Sequence, residues 1–519
     1  MNKNFIAGCL LALTLMSASA MQQDTLKLSP GPFYGREARA VDSLLRRFHY
    51  RKTEFADSLS SVMLDNYLAS LDPSRTYFME SDIRDFSRYR FSLDDRTRKG
   101  DVSAAFDIFR VYRRRLLQEM DYVLGTLVST RFDYSADEYF DSDRDQAPWA
   151  KDKQELDRIW YQLVKNQALS LKLSGKKDED IPAALRTRFE RTRKTIVQFK
   201  SEDVFSLYLN ALTEAFDPHT NYLSPRQSDL FKQNMSLSLE GIGARLQTDN
   251  DYTKIFEIVP GGPAERSGKL HPNDYIIAVG QGTEGELTDV IGWRIDDVVK
   301  LIKGPKGTTV RLQIIPVKTG LNGPTEIVTI VREKIKLEDQ AARKQVINWN
   351  DGKQNWKLGI ITLPSFYMDF DAYRRRDPSY RSTTRDVRKL ITEMQAENVN
   401  GIVIDLRNNG GGSLTEAINL TGLFIKEGPV VQVRSSNGQV ESMNDNDRSV
   451  LWDGPLVVMT NRFSASASEI FAGAIQDYHR GVIFGESTFG KGTVQQVIDL
   501  ERFISATERP PVSKNSSMS

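Results

Sequence analysis

The sequence predicts a multidomain α+β chain with a helical N-terminal region, a β-rich middle and a final α/β part built on a largely parallel sheet. Three observations carry this. At 519 residues the chain is too long for one hydrophobic core. Its first part is charged with apolar residues at helical spacing, and its middle breaks into short alternating runs between glycine turns. Beyond about residue 357, strand-like and helix-like segments alternate as βα units do. The boundaries fall at 1–20, 35–230, 236–320, 325–500 and 501–519.

The first twenty residues read as a secretory signal peptide. Lys3 precedes an apolar run from Phe5 to Met16, followed by Ala18-Ser19-Ala20. The run is too short to span a bilayer. Ile6-Ala7-Gly8-Cys9 has the composition of a lipidation box, but Cys9 lies early in the apolar run, so cleavage after Ala20 is preferred to an anchor. Cys9 is the single cysteine, so a mature chain has no disulfide, no catalytic thiol and no thiolate metal site. An exported chain without cysteine points to a bacterial periplasm or envelope.

The 70 basic and 69 acidic residues nearly cancel, which gives no reason to expect a nucleic-acid partner. No two of His49, His219, His271 and His479 have the spacing of a zinc protease, so no metal is expected.

In the helical region, Leu116, Leu117, Met120, Val123 and Leu124 mark one long helix. Arg113, Arg114 and Arg115 read as its solvated face. Asp72-Pro73 and Asp217-Pro218 each follow a helical run and are expected to end it. In the middle region, residues 255–259 form a strand before Pro260-Gly261-Gly262-Pro263. Ile295, Val298, Val299 and Ile302 share one helix face. Val310, Leu312 and Ile314 alternate with polar residues as a half-buried strand.

In the last region, strands are expected at 357–363, 401–406, 455–459 and 482–485. Helices fall between them: Val387, Leu390, Ile391 and Met394 define one, residues 414–424 a second, and a third opens at Ser466. Sites in such sheets lie at the carboxyl ends of the strands.

Ser466 follows a buried strand and opens a helix, whose free N–H groups and positive dipole end suit an oxyanion. Read alone, Ser466-Ala467-Ser468-Glu469 is also a capping box, a purely structural use of the serine. Lys491, in Gly490-Lys491-Gly492 after the next strand, can serve Ser466 as a general base if the two strands are neighbours. Gly485 to Lys491 also fits the phosphate-loop pattern GxxxxGK, but Gly492 stands where magnesium needs a hydroxyl and no helix pattern follows. Gly410-Gly411-Gly412 ends a buried strand and offers backbone N–H groups to an anion. Asp477 lies on the Ser466 helix, and His479 is too far along it to touch the serine.

These motifs, SASASEIFAGAIQDYHR, GESTFGKGTVQ, DLRNNGGGSLTEA and LEGIGARL, together resemble the carboxy-terminal processing peptidases, or tail-specific proteases, over residues 38–500. The resemblance implies an α/β serine protease core with Ser466 as nucleophile, Lys491 as base and Gln495 orienting the lysine. It implies an oxyanion hole from Gly411 or Gly412 with Ala467, and a role for Asp477 in activity or folding. The β-rich segment resembles a PDZ domain. Leu239, Gly241, Ile242, Gly243 and Ala244 would form its carboxylate loop and strand edge, with Ile295, Val298 and Val299 lining the groove. Protein substrates with free apolar C-termini follow, with no cofactor; an envelope adaptor protein and peripheral membrane association fit the exported setting. In the family further strands follow Leu500. Residues 501–519 here form a polar tail without strand pattern, which suggests a shortened core and leaves an inactive PDZ adaptor or chaperone as the alternative.

Overall fold

The computed structural model describes residues 28–503 and 517–518. The chain forms two compact units, one of residues 1–228 with 495–519 and the other of residues 229–494. The signal-peptide stretch, Cys9 and residues 504–516 of the tail lie outside the described residues.

The first unit is helical around one aromatic-rich core that includes Tyr67, Phe106, Phe109, Phe205, Tyr208 and Phe216. The two Asp-Pro phrases end helices as expected. Asp57–Leu71 stops at Asp72, whose buried carboxylate accepts the N–H groups of Thr76, Tyr77 and Phe78 at 2.8–2.9 Å. Ser201–Phe216 stops at Asp217, which accepts the His219 N–H at 2.7 Å. The arginines of the long helix Ser103–Gly125 correct the sequence reading. Arg113 is buried, and Arg115 makes a two-pronged pair with buried Asp82 at 2.9 Å, so only Arg114 is a solvated residue. Tyr222–Leu223, Ser517–Met518 and Ile498–Asp499 form a small antiparallel sheet, where no strand was expected beyond Leu500.

In the second unit, the β-rich part is an antiparallel sheet ordered Ala244–Asp249, Tyr252–Ile258, Tyr275–Gln281, Thr309–Ile315, Glu326–Val331. It runs past the expected limit at residue 320. The helix Ile295–Ile302 buries Val298 and Ile302 against Ile255, Ile276 and Leu312. Ala244–Asp249 is an edge strand of this sheet. A separate ladder, Ser238–Gly241 with Glu333–Lys336, carries Leu237, Ile335 and Leu337 into the next core.

That core lies on a five-stranded sheet ordered Arg343–Asn350, Asn355–Thr362, Gly401–Asp405, Leu456–Thr460, Val482–Gly485. The first pairing is antiparallel and the other three are parallel. Ile361, Ile402, Ile404, Leu456 and Val458 are buried on one face, in one core with residues of the helices Thr383–Ala396, Leu414–Thr421 and Ala467–Asp477. Arg343–Asn350 escaped the sequence reading because it is mostly exposed and polar. The parallel order has one consequence for function. Three adjacent strands deliver the glycine run, the Ser466 turn and the Lys491 loop to the same carboxyl edge.

Candidate active site

Ser466 sits immediately before the helix Ala467–Asp477 with φ 55° and ψ −114°, a conformation that L-residues rarely adopt. Holding it costs about 1–3 kcal/mol, offset by the surrounding bonds. Those bonds are specific. Ala465 N–H donates to the Asn409 carbonyl at 3.0 Å, Ser464 Oγ to the Leu406 carbonyl at 2.8 Å, and Ser468 Oγ to the Asn409 carbonyl at 2.9 Å. The Ser466 turn is thereby stapled to the glycine loop. Glu469 accepts the Ser466 N–H at 2.7 Å, as in a capping box, while the Ser466 hydroxyl makes no cap hydrogen bond. The hydroxyl is not spent on the helix.

Glu469 is the residue that sequence reasoning undervalued. Its Oε2 accepts the N–H of Ser466 at 2.7 Å and the N–H of Lys491 at 3.0 Å, and its Oε1 accepts the N–H of Gly490 at 2.6 Å. Burial pushes this carboxyl up, but the Thr488 hydroxyl and the three N–H groups outweigh it and hold the group below its usual range. An ionised Glu469 therefore ties the serine turn to the lysine loop. Phe489 N–H adds a bond to the Ser464 carbonyl at 3.0 Å. Lys491 is half-buried. The same geometry removes the phosphate-loop alternative: the N–H groups of Gly490 and Lys491 already hold a carboxylate, and no helix follows the loop.

The glycine run approaches the serine closely. A Cβ on Gly411, at φ 103°, would lie 2.9 Å from Ser466 Cβ and 3.1 Å from the Ala467 nitrogen. Gly411 corrects one expectation, because its N–H donates to Asn409 Oδ1 at 2.9 Å and is not available to an oxyanion. Gly412 is exposed, and neither its N–H nor that of Ala467 has a protein acceptor among the described residues. One of these donors directly follows Ser466, and the other directly follows Gly411, which lies against it.

The remaining expected residues divide. Asp477 is exposed at the far end of the helix, about 16 Å from Ser466 at the α-helical rise, so it is not part of the catalytic cluster. Gln495 is half-buried and belongs to the first unit. Leu239 and Gly241 lie in the separate Ser238–Gly241 ladder, where Leu239 packs on the α/β core. The side chains of Ile242 and Val298 are interior in the β-rich core. Gly243, at φ 80°, makes the turn into the edge strand that begins at Ala244. Neither the Ile242 nor the Gly243 N–H has a backbone acceptor among the described residues. Ile295 and Val299 are half-buried on the helix. Among the described residues, no cluster of His, Cys, Asp or Glu could hold a metal ion, and no helix is long and apolar enough to cross a membrane.

Residues 41–226 match the tail specific protease N-terminal domain, 231–315 a PDZ domain and 357–510 peptidase family S41. A tail-specific protease of Haemophilus influenzae is 41% identical over 99% of this chain, which spans 72% of that protein. A CtpA-like serine protease of Staphylococcus aureus is 32% identical over 54% of this chain and 50% of its own length. The crystal structure of the PDZ domain of a Vibrio cholerae carboxy-terminal protease, solved with a peptide, is 55% identical over 20% of this chain and all of that one, at a TM-score of 0.19. With an N-terminal helical domain, a PDZ domain and an S41 core in that order, the chain belongs to the tail-specific proteases, serine-type peptidases of family S41.

Proposed function

We propose that this chain is an exported endopeptidase that selects proteins by their apolar C-terminal tails and cleaves them with a Ser466/Lys491 dyad. The observation that carries the reading is the Glu469 carboxylate shared by the serine turn and the lysine loop. In the reaction, Lys491 Nζ accepts the Ser466 proton as Oγ attacks the scissile carbonyl carbon. The tetrahedral oxyanion is met by the N–H groups of Gly412 and Ala467, at the positive end of the Ala467–Asp477 helix. The lysine returns its proton to the leaving amine, leaving an acyl-serine. Water, deprotonated by the same lysine, then attacks the acyl carbon; the bond to Oγ breaks, the lysine returns the proton to Oγ, and the acid leaves.

Tail selection follows from the β-rich domain. The free edge of Ala244–Asp249 can add a substrate strand, and the Ile242 and Gly243 N–H groups can hold a terminal carboxylate. Ile295 and Val299 supply apolar contacts for the last side chains. Export rests on the N-terminal sequence, residues 1–20.

Two substrates that differ only in their last three residues, apolar or acidic, test the reading with wild type and Ser466→Ala. The reading expects cleavage of the apolar-tailed protein by wild type alone, with Ser466→Ala still binding the tail. Tail binding without cleavage by wild type would instead identify an adaptor.

A further inference from the structure

We infer that Asn409 is the positioning residue that aims the Gly412 N–H at the carbonyl attacked by Ser466; this rests on the nucleophile proposed above. Asn409 is fully buried, and both ends of its carboxamide are engaged. Nδ2 donates to the Leu363 carbonyl at 2.8 Å, just past the strand Asn355–Thr362. Oδ1 accepts the Gly411 N–H at 2.9 Å. Its main-chain carbonyl accepts from Ala465 N–H and Ser468 Oγ, one on each side of Ser466. One residue thus joins the sheet edge, the glycine loop and the serine turn.

The direction of the Gly412 donor follows from the peptide plane. The Gly411 carbonyl accepts the Phe366 N–H at 2.9 Å, and Ser413 N–H donates to the Phe366 carbonyl at 2.8 Å. In a trans peptide the carbonyl and the following N–H point to opposite sides. With the Gly411 N–H held by Asn409 and its carbonyl held by Phe366, the Gly412 N–H is turned away from Phe366. A flipped plane would present a carbonyl oxygen where the oxyanion forms, which repels charge instead of stabilising it. The position has no room for compensation, since a Cβ on Gly412 would lie on the Phe366 carbonyl.

Asparagine meets a need that isosteres do not. An aspartate keeps the acceptor for Gly411 and, when ionised, opposes the Leu363 carbonyl; when protonated, it regains the donor. Burial raises a carboxyl's pKa, so this exchange falls in an accessible pH range.

The test measures kcat and KM for an apolar-tailed substrate with wild type, Asn409→Asp and Asn409→Ala between about pH 5.5 and 8. Tail-peptide affinity and melting temperature are measured on the same samples. The expected result is a fall in kcat of about 10- to 100-fold in both variants, with KM and tail affinity nearly unchanged. The Asn409→Asp rate, as a ratio to wild type, should climb toward acid pH, while the Asn409→Ala ratio stays flat. Rates within threefold of wild type overturn the inference, as does an Asn409→Asp ratio that does not change with pH. Failure of both variants to fold also overturns it, assigning Asn409 to stability alone. A wild type that does not cleave sinks the nucleophile reading itself, a different and recognisable result.

Discussion

Ser466 and Lys491 donate their backbone N–H groups to the same carboxylate oxygen, Glu469 Oε2, at 2.7 and 3.0 Å. Their backbone nitrogens therefore lie within about 5.7 Å of each other, the sum of the two distances. Twenty-five positions separate them in sequence, and parallel neighbouring strands bring them together. One half-buried acid thereby fixes the relative placement of the proposed nucleophile and base.

Glu469→Gln keeps the size of this group but removes its charge and one acceptor. Activity should fall about 10- to 100-fold, as expected when a catalytic pair shifts by an ångström or so. Tail-peptide affinity, assigned above to the PDZ domain, should not change. Because the Glu469 carboxyl is held below its usual range, its contribution is present above the unfolded-state pKa. It is lost only as pH falls through the lower folded-state value. Steady-state rates with parallel peptide titrations check both points; an unchanged rate would remove Glu469 from the account.

Gly411→Ala should be more damaging than its size suggests. A residue at φ 103° carries backbone strain for any L side chain, and the new methyl would lie 2.9 Å from Ser466 Cβ. The expected outcome is a loss of kcat of roughly 100-fold or more, with a lower melting temperature. A variant with wild-type kcat would show that the glycine loop does not press on the serine.

Val298 and Val299 are adjacent but face different surroundings, one fully buried and one half-exposed. Val298→Asp places an unpaired charge in the PDZ core and should unfold that domain. Val299→Asp should leave it folded while weakening apolar tail peptides about tenfold, the scale of one lost apolar contact. Circular dichroism and peptide titration of the two full-length variants separate these outcomes.

Glu37, in the helical unit, offers a pH test that is independent of catalysis. Burial raises its carboxyl from 4.5 to about 7, with Glu202 adding to the rise and the Tyr222 hydroxyl, at 2.9 Å, opposing it. A raised folded-state pKa means that the stability from this group is fully present below about pH 4.5. It is lost as pH rises through 7. The full effect is of order 3 kcal/mol. Glu37→Gln should therefore melt several degrees higher than wild type at pH 8 and nearly level with it at pH 5. Parallel melting curves at the two pH values, with no gain at pH 8, would contradict the assignment.

The reach of the sequence varied with the kind of information that each element carries. The buried parallel strands Gly401–Asp405 and Leu456–Thr460 were legible because burial makes them continuous apolar runs between turns. Arg343–Asn350 was not, since an exposed edge strand has no apolar alternation. Strand order and motif singled out Ser466, Lys491 and the glycines, whose loops follow neighbouring parallel strands. The roles of Glu469 and Asn409 were hidden, because each acts through hydrogen bonds to backbone far away in sequence. Glu469 read only as a cap, and Asn409 carried no reading of its own. Helical spacing grouped Val298 with Val299 but does not say which side faces the core, where the Val298 side chain lies.

The most direct test of the dyad is covalent labelling by a fluorophosphonate at neutral pH, with the modified peptide identified by mass spectrometry. The account predicts stoichiometric labelling of Ser466 in wild type, and labelling at least 100-fold slower in Lys491→Ala, the scale of a lost general base. Labelling of another residue, or an unchanged rate in Lys491→Ala, would contradict it.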